Sequence, residues 1–233
     1  MDKKSPEILE IYYKLYSEYG PQGWWPVLDY KNKETGTSLK YYHPEDYDIP
    51  NNDKDRFEIC LGAILTQNTS WKNVEKAMMN LKSMDFLEPE KIIAITDLEL
   101  AEAIKSAGYF NQKTRKIKEF AKFYISLKGK TPSRENLLNV WGIGRETADS
   151  ILLYAYKFPI FVVDAYTRRL FSHLKLCNEK EDYDKIRELF ENNLPRDFTN
   201  YQEYHALIVE HGKKHYSKKP YAKDCFLVNR RSS

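Results

Sequence analysis

The chain has 233 residues, enough for one large domain or two small ones with a sizeable buried core. Aromatic residues make up 14% of it and glycine only 9 residues, which excludes an intrinsically disordered chain and favours a helix-rich globular one. The 37 basic residues are nearly balanced by 34 acidic ones, for a formal net charge of +3. The total charge therefore permits nucleic-acid binding without demonstrating it.

Targeting and cysteine signals are weak. The first residues carry no apolar signal region, and no apolar run reaches membrane-spanning length. The three cysteines are widely spaced and odd in number, so they indicate no disulfide framework. These features predict a cytoplasmic protein that does not associate with a membrane.

Apolar residues recur at helical spacing along most of the chain. Residues 20–52, rich in Tyr, Pro and charge, are expected to be irregular, and only residues 161–163 suggest a strand. A capping box at Thr96 and Glu99 begins a short helix that Gly108 is expected to end. The other predicted helices cover residues 7–19, 55–67, 70–82, 110–127, 133–140, 147–156, 165–174, 183–191 and 201–215. The predicted fold class is all-α.

A glycine pair separates two of these helices and carries the strongest signal in the sequence. Gly142 and Gly144 flank Ile143, a composition typical of a tight hairpin that needs permissive backbone angles. Arg145 and Thr147 follow at the start of the next helix. A hairpin that opens onto a helix N-terminus presents backbone N–H groups to an anion, such as a DNA phosphate.

An aspartate, Asp164, follows the apolar residues 161–163 and precedes a predicted helix. The hairpin and this downstream aspartate together resemble the helix-hairpin-helix (HhH-GPD) DNA glycosylases of the endonuclease III superfamily. The resemblance implies a two-lobed helical fold that binds double-stranded DNA containing a damaged base. It implies a six-helix barrel with the hairpin at residues 56–157, and a second lobe from residues 1–55 plus 158–233.

The resemblance makes Asp164 the catalytic residue. Cleavage of the bond between a base and C1′ passes through an oxocarbenium-like transition state, which a nearby carboxylate stabilises. The target nucleotide must first be extruded from the base stack. Asp164 also suits the N-cap of the following helix, and the two roles are compatible because the helix dipole favours a negative charge there.

Glu146 departs from the family pattern. Bifunctional members have a lysine at this place, whose amine attacks C1′ and forms a Schiff base. A glutamate cannot form an imine, so the sequence predicts a monofunctional glycosylase that leaves an abasic site. Glu146 is either an ordinary first-turn acid or part of the base pocket.

The segment after the second predicted helix resembles the loop that fills the gap left by the flipped base. Alignment on residues 74–77 places Asn68 at that wedge position, with Gln67 beside it. The alternative is a plain polar turn between two helices.

Three tryptophans resemble the base pocket of the 3-methyladenine DNA glycosylase III subgroup. Trp24 and Trp25 precede Pro26, and Trp71 follows the Gln-Asn-Thr motif. Electron-rich rings attract a cationic alkylated purine, so the predicted substrate is 3-methyladenine or a related alkylpurine. The alternatives are tryptophans that merely fix the N-terminal segment, and a damaged or mismatched pyrimidine as substrate.

The C-terminal segment lacks the four-cysteine iron–sulfur loop of many relatives. Tyr216 and Ala222 stand at two of the cysteine positions, and only Cys225 remains. A cubane cluster needs four ligands, normally thiolates, so no cofactor is expected. A zinc site at His211, His215 and Cys225 lacks an evident fourth ligand. The segment stays basic, and Lys213 and Lys214 are candidate phosphate contacts.

The sequence thus predicts a monomeric base-excision glycosylase acting through Asp164. The resemblance leaves two alternatives. One is a bifunctional enzyme in which another amine cleaves the strand, and the other is a non-catalytic DNA-binding protein that uses the hairpin alone.

Overall fold

The computed structural model describes residues 5–31 and 41–228, and the described chain is helical without strands. The all-α fold class is therefore confirmed. The α-helices are α1 (Ser5–Tyr19), α2 (Asp53–Leu65), α3 (Trp71–Ser83), α4 (Pro89–Ala94), α5 (Asp97–Ala103), α6 (Phe110–Ser126), α7 (Arg134–Leu138), α8 (Arg145–Ser150), α9 (Ala165–His173), α10 (Tyr183–Glu191) and α11 (Phe198–His215).

Most predicted helices are present within a few residues of their expected bounds. The short helix that begins at the Thr96–Glu99 capping box ends at Ala103, because a 3₁₀ turn, Lys105–Ala107, intervenes before Gly108. Helix α4 was not predicted, since its six residues are too few to show a helical period. The suggested strand at residues 161–163 is wrong: the segment is buried but forms no strand in the described chain.

The chain divides into two compact units, each with its own core. The first unit comprises Met1–Trp24, Tyr42–Tyr47 and Lys157–Ser233, and the second comprises Trp25–Tyr41 and Asp48–Tyr156. Residues 32–40, which belong to the segment expected to be irregular, lie outside the described residues. The two-lobed organisation with bounds at 56 and 157 stays a prediction.

The first unit is built on α11, which packs against α1 and α9. Its core is aromatic: the rings of Phe161 and Phe190 stack with centroids 3.9 Å apart, and Phe171 meets Phe190 edge-on at 4.6 Å. Buried Tyr204 donates a hydrogen bond to the Ile8 carbonyl at 2.7 Å and so fixes α1 to α11. This core supports the segment that presents Asp164.

The second unit surrounds α2, whose residues 57–65 are all buried. Helix α2 packs against α3, α6, α8 and a π-helical segment, Ile151–Ala155, which continues α8. The rings of Phe57 and Tyr124 meet edge-on at 4.9 Å. This unit holds the glycine hairpin and a cavity lined by aromatic residues.

None of the described helices combines the length and the apolar character needed to cross a membrane.

Candidate active site and DNA-binding hairpin

The glycine hairpin between α7 and α8 has the geometry that its sequence predicts. The Ile143 N–H donates to the Val140 carbonyl at 3.1 Å, and Gly142 has a φ of 84°, in the left-handed region that favours glycine. Gly144 is the N-cap of α8, and no side chain caps it. The space where a side chain at Gly144 would stand is open. An anion can therefore approach the backbone N–H groups at the start of α8.

The apolar residue of the hairpin, Ile143, is buried at 5% exposure and anchors the loop from inside. Trp141 is exposed on the outside, with the Arg115 guanidinium 4.0 Å above its ring. Arg145 and Glu146 are also exposed, on the first turn of α8. Glu146 therefore lies on the surface of its unit and not among the residues that line the cavity described below.

Gln67 connects the hairpin to the loop that follows α2. Its side-chain N–H group donates to the Gly142 carbonyl at 3.1 Å and to the Thr147 hydroxyl at 3.0 Å. Its side-chain oxygen accepts a hydrogen bond from the Lys116 ammonium group. Gln67 thus positions the hairpin from within the second unit, a role that its sequence position did not suggest.

Asn68 lies in a different environment from Gln67, its neighbour in the sequence. It is exposed and has a left-handed backbone, with a φ of 54°. Beneath this loop, the ammonium group of buried Lys113 donates to the Leu65 carbonyl at 2.8 Å and to the Ala107 carbonyl at 2.9 Å. The loop is therefore fixed at its base and presents Asn68 outward.

Asp164 is the N-cap of α9 in the first unit. Its Oδ1 accepts hydrogen bonds from the Thr167 N–H at 2.7 Å and from the Thr167 hydroxyl at 2.8 Å. In the described chain no group donates to Oδ2 and no cationic side chain forms an ion pair with this carboxylate. One oxygen thus holds the side chain in place while the other keeps its capacity to interact with a substrate.

His205 of α11 is a buried titratable group that interacts electrostatically with Asp164. Burial lowers the pKa of His205, and the charge of Asp164 partly opposes that effect. His205 is therefore neutral at pH 7 and does not neutralise the carboxylate. Close packing also holds this region, because a Cβ at Gly212 would lie 2.3 Å from the Tyr166 ring.

The second unit contains a small cavity, which we call the aromatic cavity. Trp25 forms its inner wall, with its ring centroid 5.5 Å from that of Trp71 and 5.3 Å from that of Tyr154, edge-on to both. A Cβ at Gly62 would lie 2.6 Å from Trp25 Nε1, so the glycine makes room for the indole. The lining residues are Trp25, Pro26, Leu28, Tyr41, Glu58, Gly62, Trp71, Glu75 and Met78.

The cavity has room for about one water molecule as it stands. Trp71 and Tyr41 are partly exposed at its edge, whereas Trp25 is 5% exposed. A purine base could enter only if side chains at the edge moved apart. Three of the expected base-pocket residues, Trp25, Pro26 and Trp71, are therefore brought together by this unit.

Trp24 has a different environment from its neighbour, because it belongs to the first unit. Its ring centroid is 6.0 Å from that of Tyr42, and the Lys213 ammonium group lies 5.2 Å from its ring centroid. Lys214 lies over the Tyr19 ring at 4.2 Å. Both lysines are exposed and both are within 4 Å of Glu210, at 3.7 and 3.5 Å.

The segment that resembles an iron–sulfur loop contains a compact hydrogen-bonded cluster. His211 Nε2 is 3.2 Å from the Cys225 sulfur, and its Nδ1 is 2.9 Å from the Tyr19 hydroxyl. Tyr216 is fully buried, with its hydroxyl 3.9 Å from the same sulfur. One thiol among imidazole and phenol groups does not fit a cubane cluster, which takes four ligands, normally thiolates. In the described residues no set of three potential ligands is placed to hold a metal ion.

Comparison with known proteins identifies the family. Residues 61–196 match the model of the HhH-GPD superfamily of base excision DNA repair proteins, and this match runs from the last turn of α2 to just beyond α10. The chain belongs to this superfamily. The enzyme class expected from the sequence, a DNA glycosylase, is thereby confirmed.

Relatives of this HhH-GPD protein are similar over most of its length. A protein of Methanocaldococcus jannaschii, provisionally named a DNA repair glycosylase, is 44% identical over 96% of this chain and 95% of its own. Endonuclease III of Thermotoga maritima is 28% identical over 78% of this chain and 85% of its own.

Two solved structures illustrate the similarity of fold. The 3-methyladenine DNA glycosylase MagIII of Helicobacter pylori, bound to 1,N6-ethenoadenine, is 32% identical, with a TM-score of 0.61 over 68% of this chain and 85% of MagIII. An endonuclease III in a non-covalent complex with DNA has a TM-score of 0.75 over 98% of this chain and 95% of its own, at 20% identity. The endonuclease III-like fold expected from the sequence is confirmed.

Several site residues escaped the sequence analysis. Glu58 interrupts an apolar helical run, and a charge at a buried position is a signal that could have been noticed. Thr167 lies three residues after Asp164, which is the spacing of a side chain that shares the cap. Lys113, Lys116 and Gly62 gave no signal, because their roles depend on contacts with residues far away in the sequence.

Proposed function

We propose that this HhH-GPD protein is a monofunctional DNA glycosylase that excises an alkylated purine, such as 3-methyladenine, and uses Asp164 as its catalytic residue. The observation that carries the proposal is the Asp164 carboxylate, held through Oδ1 by Thr167 while Oδ2 is left to interact. In an HhH-GPD glycosylase, such a carboxylate is placed to act on the sugar of a flipped nucleotide.

In the proposed reaction the bond between C1′ and the base nitrogen breaks, and its electron pair stays with the base. The positive charge of the alkylated ring is thereby neutralised, while cationic character develops on the sugar. The Asp164 carboxylate stabilises this cation and orients the water that attacks C1′. The attacking water gives one proton to the Asp164 carboxylate, which releases it to the solvent, and the products are the free base and an abasic site. No step requires a metal or an amine of the protein.

The basis for a monofunctional reaction is Glu146, an exposed carboxylate where bifunctional relatives have their lysine. Two lysine amines of that unit, Lys113 and Lys116, do not replace it. Lys113 is 2% exposed and donates to two backbone carbonyls, and Lys116 donates to Gln67. An amine held in this way is not available to attack C1′.

Support for an alkylpurine comes from the aromatic cavity and from MagIII. Trp25, Pro26 and Trp71 line the cavity, and tryptophan is the aromatic side chain that attracts cations most strongly. MagIII, which is named a 3-methyladenine glycosylase, binds 1,N6-ethenoadenine, a modified purine. We propose that base entry moves Trp71 and Tyr41 aside, because the closed cavity is too small for a purine.

We propose that the remaining site residues contact DNA. The hairpin and the first turn of α8, residues 142–147, bind a phosphate. Asn68 fills the gap left by the flipped base, and Lys213 and Lys214 add electrostatic attraction. Glu146 contributes no imine chemistry. The assignment of Trp24 to the base pocket rests on its place in the sequence, and the Lys213 ammonium group lies over its ring. The protein acts on double-stranded DNA as a monomer in the cytoplasm and carries no iron–sulfur cluster.

A panel of duplexes, each with one lesion, tests this proposal. We expect abasic sites, revealed as strand breaks only after alkali, on duplexes with 3-methyladenine or another alkylpurine. Borohydride should trap little covalent adduct between enzyme and DNA. Activity confined to uracil- or thymine-mismatched duplexes would contradict the proposed alkylpurine substrate. Efficient borohydride trapping would contradict the proposed monofunctional reaction.

Iron analysis tests the cofactor proposal. The purified protein should be colourless, with well below the roughly four iron atoms per chain of a cubane cluster. Stoichiometric iron and sulfide, together with broad visible absorbance, would show that other ligands replace the missing thiolates.

A further inference from the structure

Among the described residues, the charged side chains that line the aromatic cavity are all acidic. Glu58 reaches it from α2 and Glu75 from α3, while the rest of the lining is aromatic, apolar or glycine. This is unexpected in a chain whose net charge is +3 and whose proposed substrate, DNA, is an anion. A cavity with carboxylates and tryptophan rings attracts positive charge from two independent sources.

Glu58 is held in place and keeps one oxygen for a ligand. It is only 2% exposed, and its Oε1 accepts a hydrogen bond from the Leu28 N–H at 2.6 Å. In the described chain no group donates to Oε2. The Lys82 ammonium group, which is the cation that acts on Glu58, is itself bound to Asp29 at 2.5 Å.

Burial raises the pKa of Glu58 to about 7, and the negative charges of Asp55 and Asp29 act in the same direction. The Leu28 N–H and the Lys82 charge oppose this change only in part. In the free protein, therefore, the nearby cation and hydrogen-bond donor do not fully stabilise the negative charge of the Glu58 carboxylate. A cationic ring in the cavity would supply the missing positive charge.

We propose that Glu58, assisted by Glu75, makes the base pocket selective for positively charged purines over neutral ones. This inference rests on the proposed function, and it specifies the substrate class as N-alkylated purines whose ring carries a positive charge. Glu58 is a specificity-determining residue in this proposal and takes no part in bond cleavage. Undamaged purines are neutral, so the carboxylate does not attract them and the pocket does not retain them.

The test compares two excision rates in the Glu58→Gln variant. Single-turnover rates are measured on duplexes with 3-methyladenine, a cation, and with 1,N6-ethenoadenine, which is neutral at pH 7. We expect the rate on 3-methyladenine to fall by at least about tenfold, as for loss of a hydrogen bond to a charged group. The rate on 1,N6-ethenoadenine should stay the same or rise.

The matched control is Glu203→Gln. Glu203 is also 2% exposed, and it accepts a backbone hydrogen bond, from the Gln22 N–H at 2.7 Å, but it belongs to the first unit. We expect the ratio of the two rates to be unchanged in this variant. Thermal melting of both variants separates loss of stability from loss of selectivity. If Glu58→Gln does not fold, Glu75→Gln, at a partly exposed position, should shift the same ratio in the same direction.

Two failures can be told apart. If the wild-type protein excises both purines and Glu58→Gln lowers both rates equally, the carboxylate is structural and this inference alone is wrong. If the wild-type protein excises neither purine but removes a pyrimidine, the proposed function itself is wrong.

Discussion

The N-termini of α8 and α9 carry the same kind of partial positive charge but differ in what interacts with it. At α8 the N-cap is Gly144, which has no side chain, and the space in front of it is open. At α9 the N-cap is Asp164, whose own carboxylate occupies the Thr167 N–H. The partial positive charge of a helix N-terminus is thus left for an external anion in one case and used to hold an internal anion in the other.

The two capping residues differ in what each leaves available to a ligand. A glycine leaves the backbone donors of the first turn for a phosphate, and it adds no charge. An aspartate consumes one donor but brings a carboxylate, of which one oxygen remains for chemistry. Substitutions at the two helix starts should therefore affect excision and DNA affinity differently.

The largest effect is expected for Asp164→Asn. Asparagine retains the size and capping ability of aspartate but removes the charge, so excision should fall by at least about a hundredfold while DNA binding persists. Single-turnover excision and DNA affinity measure the two effects. The control is Asp197→Asn, at an N-cap that also accepts bonds from a threonine N–H and hydroxyl. Near-wild-type excision by Asp164→Asn would disprove the assignment.

The second change is Gly142→Ala in the hairpin. Alanine is strained at a φ of 84°, and its Cβ would lie 2.6 Å from the Lys116 side chain, which would disturb the bond to Gln67. We expect DNA affinity to fall about tenfold, or roughly 1.4 kcal/mol. Gly129→Ala is the control, since it has a similar φ of 79° with open space around it. Equal losses of affinity in both variants would mean that the hairpin has no special role in binding.

The third change, Thr167→Val, removes the hydroxyl that holds Asp164 but keeps the backbone N–H bond. Excision should fall about fivefold, as expected for the loss of about 1 kcal/mol, without loss of DNA affinity. Thr167→Ser should restore most of the rate because it retains the hydroxyl. A melting temperature lowered in parallel with the rate, and no recovery in the serine variant, would indicate a purely structural role.

The smallest effect is expected for Glu146→Gln. This exposed acid lies on the first turn of α8, where its charge opposes an approaching phosphate. We expect DNA affinity to rise by no more than about threefold, with excision unchanged, from the modest energy of a charge near a helix end. A tenfold loss of excision would instead show that Glu146 belongs to the base pocket.

The sequence by itself determined what depends on short-range hydrogen bonds and helical period. The capping box at Thr96 and Glu99, the cap at Asp164 and the left-handed Gly142 involve partners within a few residues. The amphipathic helices follow from a period that is visible in any window of three or four turns. For the same reason short helix α4 was missed, and residues 161–163, apolar but unpaired, were wrongly expected to form a strand.

Only the tertiary structure decided which distant groups meet. Gln67 reaches Gly142 and Thr147 across 75 and 80 positions, and no local pattern encodes that contact. Trp24 and Trp25 are adjacent in the sequence but belong to different compact units. Glu58 becomes a group of the aromatic cavity because α2 packs against the segment that begins at Trp25. Burial and the choice of partner are properties of the packed chain, since they depend on which surfaces are removed from water together.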